Sequence, residues 1–165
     1  MPIAHACLVV ADAARARLYT FQRQEDVASD LPDLQERADL VNPERRQRPS
    51  EVHSDTRPGS SRAPTGASFT VDDHRDAHQE AVDRKFAEAI HAELTRLLAE
   101  TGYRHAIVVA SHRMLGHLRA SGAPPGDVEL HELALDLTKE TTPQLQDRLS
   151  TMGLLPPRRR AGFPE

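Results

Sequence analysis

The sequence predicts one α/β domain, a single mixed five-stranded sheet flanked by helices. Two runs, residues 5–11 (HACLVVA) and 105–111 (HAIVVAS), are almost continuously apolar, which is typical of strands buried on both faces. Between them, apolar side chains recur at three- and four-residue spacing from Val82 to Leu97 and indicate a long amphipathic helix. Hairpins followed by right-handed strand-helix-strand crossovers then give a mixed sheet with helices against it.

Alternating patterns predict the other three strands. Residues 15–21 (RARLYTF) alternate polar and apolar and predict the hairpin partner of the first strand. Residues 34–41 alternate more weakly as the third strand, and residues 127–137 alternate again as the fifth. The resulting order of strands and helices is that of a ribonuclease H-like fold.

Capping residues predict where the helices begin and end. We expect Thr70 or Asp72 to cap the start of the long helix by accepting a backbone N–H bond. Gly102 ends that helix by taking a left-handed conformation. The last helix is predicted to start with Thr142 as its N-cap and Pro143 at its first position.

The whole chain is predicted to be one compact unit with two less regular segments. Residues 1–152 form the domain, with a long loop at 42–73 and a mobile Pro/Arg-rich tail at 153–165. The single Cys7 cannot form an internal disulfide and indicates a reducing compartment. The first apolar run is too short to span a membrane and follows no basic segment, which predicts a cytoplasmic protein without membrane insertion. A formal net charge of -4 gives no bulk attraction to nucleic acid.

A two-metal nuclease is the first enzymatic alternative. Such an enzyme needs carboxylates that converge from the first strand, the long helix and the fourth strand. Asp12 is a candidate for the first, and Glu80 or Asp83 for the second, but Ser111 stands where the fourth strand would need an acid. Asp12 is better interpreted as a turn residue that bonds its own backbone.

A hydrolase nucleophile at Ser111 is the second alternative. Ser111 and His112 follow a buried strand, but the sequence ASHRM lacks the glycines of a nucleophile elbow. Ser111 is better interpreted as the N-cap of the helix that follows. Both alternatives are therefore disfavoured, and the sequence favours a protein that is not an enzyme and needs no cofactor, with a metal-dependent hydrolase as the less favoured alternative.

A zinc site is the third alternative. His74 and His78 lie four residues apart on one face of the long helix, a spacing that suits two imidazoles on one metal ion. The HExxH signature of metalloproteases is absent, and a solvated helix start is the simpler interpretation. Further ligand-type side chains lie near them in the sequence: His53, Asp55, Asp72 and Asp73.

Five segments together carry a family resemblance: residues 9–21 (VVADAARARLYTF), 53–61 (HSDTRPGSS), 86–94 (FAEAIHAEL), 107–119 (IVVASHRMLGHLR) and 133–145 (LALDLTKETTPQL). With them the chain resembles the bacterial family of proteins required for attachment to host cells. The resemblance implies a role in host attachment, and several polar or small residues fall in its segments: Asp12, Arg15, Arg17, Gly116, Arg119 and Asp136.

The family in turn is similar in element order to the middle domain of class-I translation release factors and of Pelota. In those factors the loop before the long helix carries a Gly-Gly-Gln motif at the site of peptide release. The corresponding loop here reads RPGSSRAPTG and has no such motif. The resemblance therefore implies binding to RNA or the ribosome as an alternative function, without peptide release.

The loop is the predicted binding site in either case. Arginine side chains and backbone N–H groups beside small residues commonly contact phosphates and other anions. The sequence thus predicts a macromolecular partner, and the candidate binding residues are Ser54, Asp55, Arg57, Pro58, Gly59, Ser60 and Arg62.

Overall fold

The computed structural model describes residues 2–24, 32–45 and 67–159, and within the last range it describes side chains from His74 onward. These ranges contain the five strands and three helices that the sequence predicts. The strands are β1 (His5–Ala11), β2 (Arg15–Gln22), β3 (Leu34–Val41), β4 (His105–Ala110) and β5 (Glu129–Ala134). The helices are α1 (Ala67–Thr101), α2 (His112–Ala120) and α3 (Thr142–Thr151), and a short 3-10 helix spans Pro43–Arg45.

The strands form one mixed sheet in the order β3-β2-β1-β4-β5. β1 pairs with β2 and β2 with β3 in antiparallel fashion, whereas β1 pairs with β4 and β4 with β5 in parallel. This confirms the predicted α/β fold with a single mixed five-stranded sheet. The carboxyl ends of β1, β4 and β5 meet at one edge of the sheet, which we call the carboxyl edge.

Both faces of the sheet are covered, which explains the continuous apolar runs of β1 and β4. Successive strand residues point to opposite faces. Val9 and Val108 pack on the side of α1 and α2, while Leu8, Val10 and Ile107 pack on the side of α3. α1 and α2 complete the core on the first face, with side chains that include Phe86, Ile90, Leu94, Met114 and Leu115. α3 completes the core on the other face with Leu145 and Leu149.

Two helix starts differ from the predicted ones. α1 begins at Ala67, so Thr70 and Asp72 lie inside the helix, and the segment before it is shorter than the predicted loop. α3 is capped by Thr141 and not by Thr142, because the extended Thr141 backbone lets its side chain accept from the Gln144 N–H while the Gln144 side chain bonds back. Both predictions were wrong by a few residues.

The predicted end of α1 is confirmed. Gly102 has a φ of 70°, which favours glycine, and its N–H donates to the Leu98 carbonyl at 2.9 Å. The structure describes residues 153–159 of the predicted tail, and several of them contact the domain. Leu155 is buried, and the Arg158 guanidinium makes two 2.8 Å bonds to the Asp147 carboxylate. Among the described helices, none combines the length and the apolar character that a membrane span requires.

The Cys7 thiol supports a prediction about reactivity and pH. Cys7 is fully buried, and burial raises the pKa of its thiol to about 11. The thiolate is the reactive form, so we expect a disulfide reagent to modify the native protein far more slowly than the unfolded chain at mildly alkaline pH. Because the folded-state pKa of the thiol is raised, burial of the neutral thiol contributes its full share to the free energy of unfolding below pH 9, the ordinary thiol pKa. That contribution is lost as the pH rises towards 11. Equal modification rates in buffer and in denaturant would contradict the buried placement.

Candidate functional site at the carboxyl edge of the sheet

The carboxyl edge is the natural place to look for a site, because open α/β sheets bind ligands beyond the carboxyl ends of their strands. Three polar residues follow the parallel strands there: Asp12 after β1, Ser111 after β4 and Asp136 just after β5. Each of them is bonded locally in the structure.

Asp12 holds the turn between β1 and β2. Its Oδ1 accepts hydrogen bonds from the N–H groups of Ala14 and Arg15, both at 2.7 Å. Asn42 joins the same turn from the end of β3, since its side-chain amide donates to the Ala13 carbonyl at 3.0 Å. The interpretation of Asp12 as a turn residue is confirmed.

Ser111 caps α2, as the sequence predicts. Its Oγ accepts from the Met114 N–H at 3.2 Å, and its backbone is extended. Asp136 makes a comparable local contact, because its Oδ1 accepts from the Thr138 hydroxyl at 2.7 Å and from the Thr138 N–H at 3.2 Å. The Thr138 hydroxyl, and then its N–H, lower the pKa of Asp136.

Arg15 and Arg17 tie β2 to its neighbours. Each forms a two-bond ion pair across the sheet, Arg15 with Asp39 at 2.6 and 2.8 Å and Arg17 with Glu36 at 3.0 Å for both bonds. Arg17 also donates to the Glu140 carbonyl at 3.1 Å. Both residues therefore hold β3 against β2, and Arg17 also links this half of the sheet to the segment before α3.

Arg119 and Gly116 lie on α2, away from the turn of Asp12. The Arg119 guanidinium pairs with Glu132 of β5, with Nε at 2.8 Å from Oε2. This pair stands at the rim of a small apolar cavity of about 40 Å³ between α1, α2 and β5, lined by Ile90 and Leu118 among others. A side chain at Gly116 would meet no atom within 4 Å, so close packing does not require a glycine there.

A buried ion pair fixes the chain that leaves β3. Asp83 of α1 is only 1% exposed, and both its oxygens accept from Arg45, Oδ1 from Nε at 3.0 Å and Oδ2 from Nη2 at 2.9 Å. The bonds to Asp83 raise the pKa of Arg45. We call this contact the Arg45–Asp83 pair. It holds the short 3-10 helix against α1.

Neighbouring charges extend the Arg45–Asp83 pair towards solvent. Arg113 at the start of α2 lies 3.9 Å from Asp83 and donates to Glu80 at 2.7 Å. His117 lies four residues after Arg113 on α2, and its buried Nε2 is 4.0 Å from a Glu80 oxygen. Asp83 is thus neutralised by arginines, which differs from the converging acids of a two-metal site.

The first part of α1 projects beyond the sheet. Six successive residues, 74–79, are exposed, although any packed helix face would bury at least one residue in such a stretch. About 20 Å of helix lies between Ala67 and Glu80, where α2 meets α1. We call residues 74–79 the helix arm.

The predicted metal pair lies on the helix arm. His74 and His78 are both exposed, and His78 Nε2 lies 3.5 Å from a Glu44 oxygen. The side chains of Asp72 and Asp73, like His53 and Asp55, fall outside what the structure describes, so a zinc site here stays a prediction. The seven residues of the predicted binding loop, Ser54 to Arg62, also lie outside the described residues.

The sequence does not indicate one contact of this edge, the Arg45–Asp83 pair. It offers Asp83 only as a candidate nuclease acid and gives Arg45 no role. Their pairing joins residues 38 positions apart, and no local pattern indicates it. The one available signal was an acid on the apolar face of α1, between Val82 and Phe86, where a buried carboxylate needs a partner.

Comparison with known proteins assigns a family to the chain. A family described as "Protein required for attachment to host cells" matches residues 7–149, from the core of β1 to the core of α3. A comparison with curated proteins finds no match. Since the matched range includes all or most of every described strand and helix, the chain belongs to the family of proteins required for attachment to host cells.

Proposed function

We propose that the chain is a non-enzymatic recognition protein that contributes to attachment to host cells, either directly or through a partner. The observation that carries this proposal is the helix arm, together with the Arg45–Asp83 pair that fixes the short 3-10 helix against α1. A polar helix segment whose described side chains are all exposed adds little to a core and is free to make a contact outside the domain.

The hydrogen-bond and ion-pair partners of three polar side chains favour recognition over catalysis. Asp12 is bonded to two backbone N–H groups, Ser111 caps a helix, and Asp83 is paired with an arginine. A catalytic acid or nucleophile must instead face a reacting group or a base. These residues are better explained as parts of the framework of the domain.

The residues proposed to make the contact are the helix arm and the loop before it. Arg57 and Arg62 offer guanidinium groups for carboxylates or phosphates, and Gly59 and Ser60 leave room for a close approach of the backbone. The arm carries His74, Arg75, Asp76 and His78, a mixed charge that suits a polar protein surface. A partner bound in this way would dissociate more readily as salt rises.

A pull-down from native lysate tests the proposal. We expect intact protein to retain a partner that is lost when residues 54–68 are deleted and when Arg57 and Arg62 are both changed to Ala. Arg96→Ala is the matched control, because Arg96 is a surface arginine in the part of α1 beyond Ile90, far along the helix from the arm. Retention of the same partner by all four proteins would contradict a binding loop.

The alternative is a translation-related module that binds RNA or the ribosome without releasing peptides. Its support is the predicted likeness in element order to release-factor middle domains and the two loop arginines. This alternative predicts a tRNA shift and ribosome co-sedimentation at low salt that both weaken in the Arg57→Ala/Arg62→Ala variant. Negative results in both assays would remove it and leave a protein partner.

Direct and indirect roles in attachment predict different locations. A direct adhesin must be exposed at the cell surface, whereas the predicted cytoplasmic protein would act through an intracellular partner. Cell fractionation with protease shaving separates them. Loss of the protein from intact cells on shaving supports the direct role, and protection supports the indirect one.

A further inference from the structure

We propose that His105, Glu129 and His131 form a binding site for a divalent first-row transition-metal ion such as zinc. The three residues lie where β4 and β5 begin, at the end of the strands opposite to the carboxyl edge. About 17 Å of strand separates His105 from the end of β4, so this site is distinct from the carboxyl edge of the sheet.

The register of β4 and β5 brings the three side chains together. In this parallel pair His105 lies beside Glu129, and Ile107 lies beside His131. Residues two apart on a strand share a face, so His131 and Glu129 point to the same side of the sheet as His105 and Ile107. That side is the α3 face, on which Ile107 is buried.

The distances between the ligand-type atoms are close to those of a metal site. One Glu129 oxygen lies 3.7 Å from His105 Nδ1, and the other lies 3.5 Å from His131 Nε2. The two imidazole rings are stacked with centroids 5.8 Å apart. One ligand atom from each residue falls within 4.8 Å of the other two. Ligands of a tetrahedral zinc ion lie about 3.3 Å from one another, so only a small closure is needed.

The polar atoms that face the centre of this cluster lack other partners. His105 Nδ1 and His131 Nε2 are both buried, and among the described residues neither has a hydrogen-bond partner. A buried ring nitrogen without a partner is costly, because it has lost water and gained nothing in exchange. A metal ion between the two nitrogens and the Glu129 carboxylate would satisfy both.

The ligand set indicates which ions fit. Two imidazoles and one carboxylate suit zinc and other first-row divalent ions, whereas Mg²⁺ and Ca²⁺ prefer all-oxygen ligands. Three protein ligands leave a fourth position for water or for a group from a bound molecule. The site is also reachable, because β5 is an edge strand and the Glu129 side chain is 64% exposed.

Calorimetric titration of untagged, chelator-treated protein with Zn²⁺ tests the site. We expect one zinc ion per chain, no measurable heat with Mg²⁺, and at least a tenfold loss of affinity in His131→Ala and in Glu129→Gln, since even outer-shell changes cost about 10- to 100-fold. Glu129→Gln changes an exposed side chain, so it keeps the test valid if His131→Ala fails to fold, as judged by circular dichroism. The double variant His74→Ala/His78→Ala is the matched control and should bind zinc as the parent does.

Two outcomes would overturn this proposal. The first is the absence of zinc binding at micromolar metal. The second is binding that His74→Ala/His78→Ala abolishes and Glu129→Gln leaves intact, which would place the ion on the helix arm. Substitution of Co²⁺ for Zn²⁺ adds a spectroscopic check, because a tetrahedral site of two nitrogens and two oxygens gives visible absorption bands that must disappear in Glu129→Gln.

Discussion

Replacing Arg45 by Ala is expected to lower the free energy of unfolding by about 3 kcal/mol, towards the lower end of the range for breaking a buried ion pair because Arg45 itself is partly exposed. The physical reason is the state of Asp83, whose carboxylate is almost fully buried and accepts both of its close bonds from Arg45. Without Arg45, only the more distant Arg113 opposes that charge. Urea denaturation followed by circular dichroism measures the loss.

Two further variants control this result. Arg96 pairs with Glu93 and Glu100 on the surface, so Arg96→Ala should leave the denaturation midpoint nearly unchanged. Adding Asp83→Asn to Arg45→Ala removes the uncompensated charge and should recover part of the lost stability. A midpoint for Arg45→Ala equal to that for Arg96→Ala would show that the Arg45–Asp83 pair does not stabilise the fold.

Replacing Leu149 by Ala is expected to cost about 2 to 5 kcal/mol of folding free energy, as for other large core residues cut to Ala. Leu149 is fully buried in the α3 core, and α3 is a helix of only ten residues. So short a helix is marginal by itself and depends on packing for its stability. The substitution should therefore also weaken the packing of α3 against its face of the sheet.

Leu135→Ala is the matched control, since it removes the same atoms from a side chain that is 38% exposed. It should change the unfolding free energy by much less than Leu149→Ala does, as measured by urea denaturation of both variants. Similar losses for the two would mean that α3 does not close the core of this face.

The fold could be predicted from the sequence because its main signals are local. The runs in β1 and β4 are apolar throughout since both faces of these strands are buried, and residues Val82 to Leu97 repeat with the spacing of a helix packed on one side. The start of α1 was missed because Thr70 and Asp72 are residue types that favour an N-cap, although both lie inside a helix that begins at Ala67. The regular apolar spacing begins only at Val82, so it does not mark the first residue of the helix.

The candidate site was predictable only where it depends on neighbours in the sequence. Asp12 and Ser111 bond to groups two or three residues away, and their turn and cap chemistry is readable from residue type. The Arg45–Asp83 pair depends on how α1 lies across the sheet. The cluster of His105, Glu129 and His131 depends on the register of two strands, and neither arrangement leaves a spacing in the sequence.

The central claim is that the loop before α1 and the helix arm make the contact on which attachment depends. Its most direct test is adhesion to host cells by a strain that lacks the protein and is complemented with the intact chain, with Arg57→Ala/Arg62→Ala, or with Arg96→Ala, at protein levels matched by immunoblot. We predict that the intact chain and Arg96→Ala restore adhesion and that Arg57→Ala/Arg62→Ala does not. Full restoration by Arg57→Ala/Arg62→Ala, and also by a chain without residues 54–68, would contradict the account.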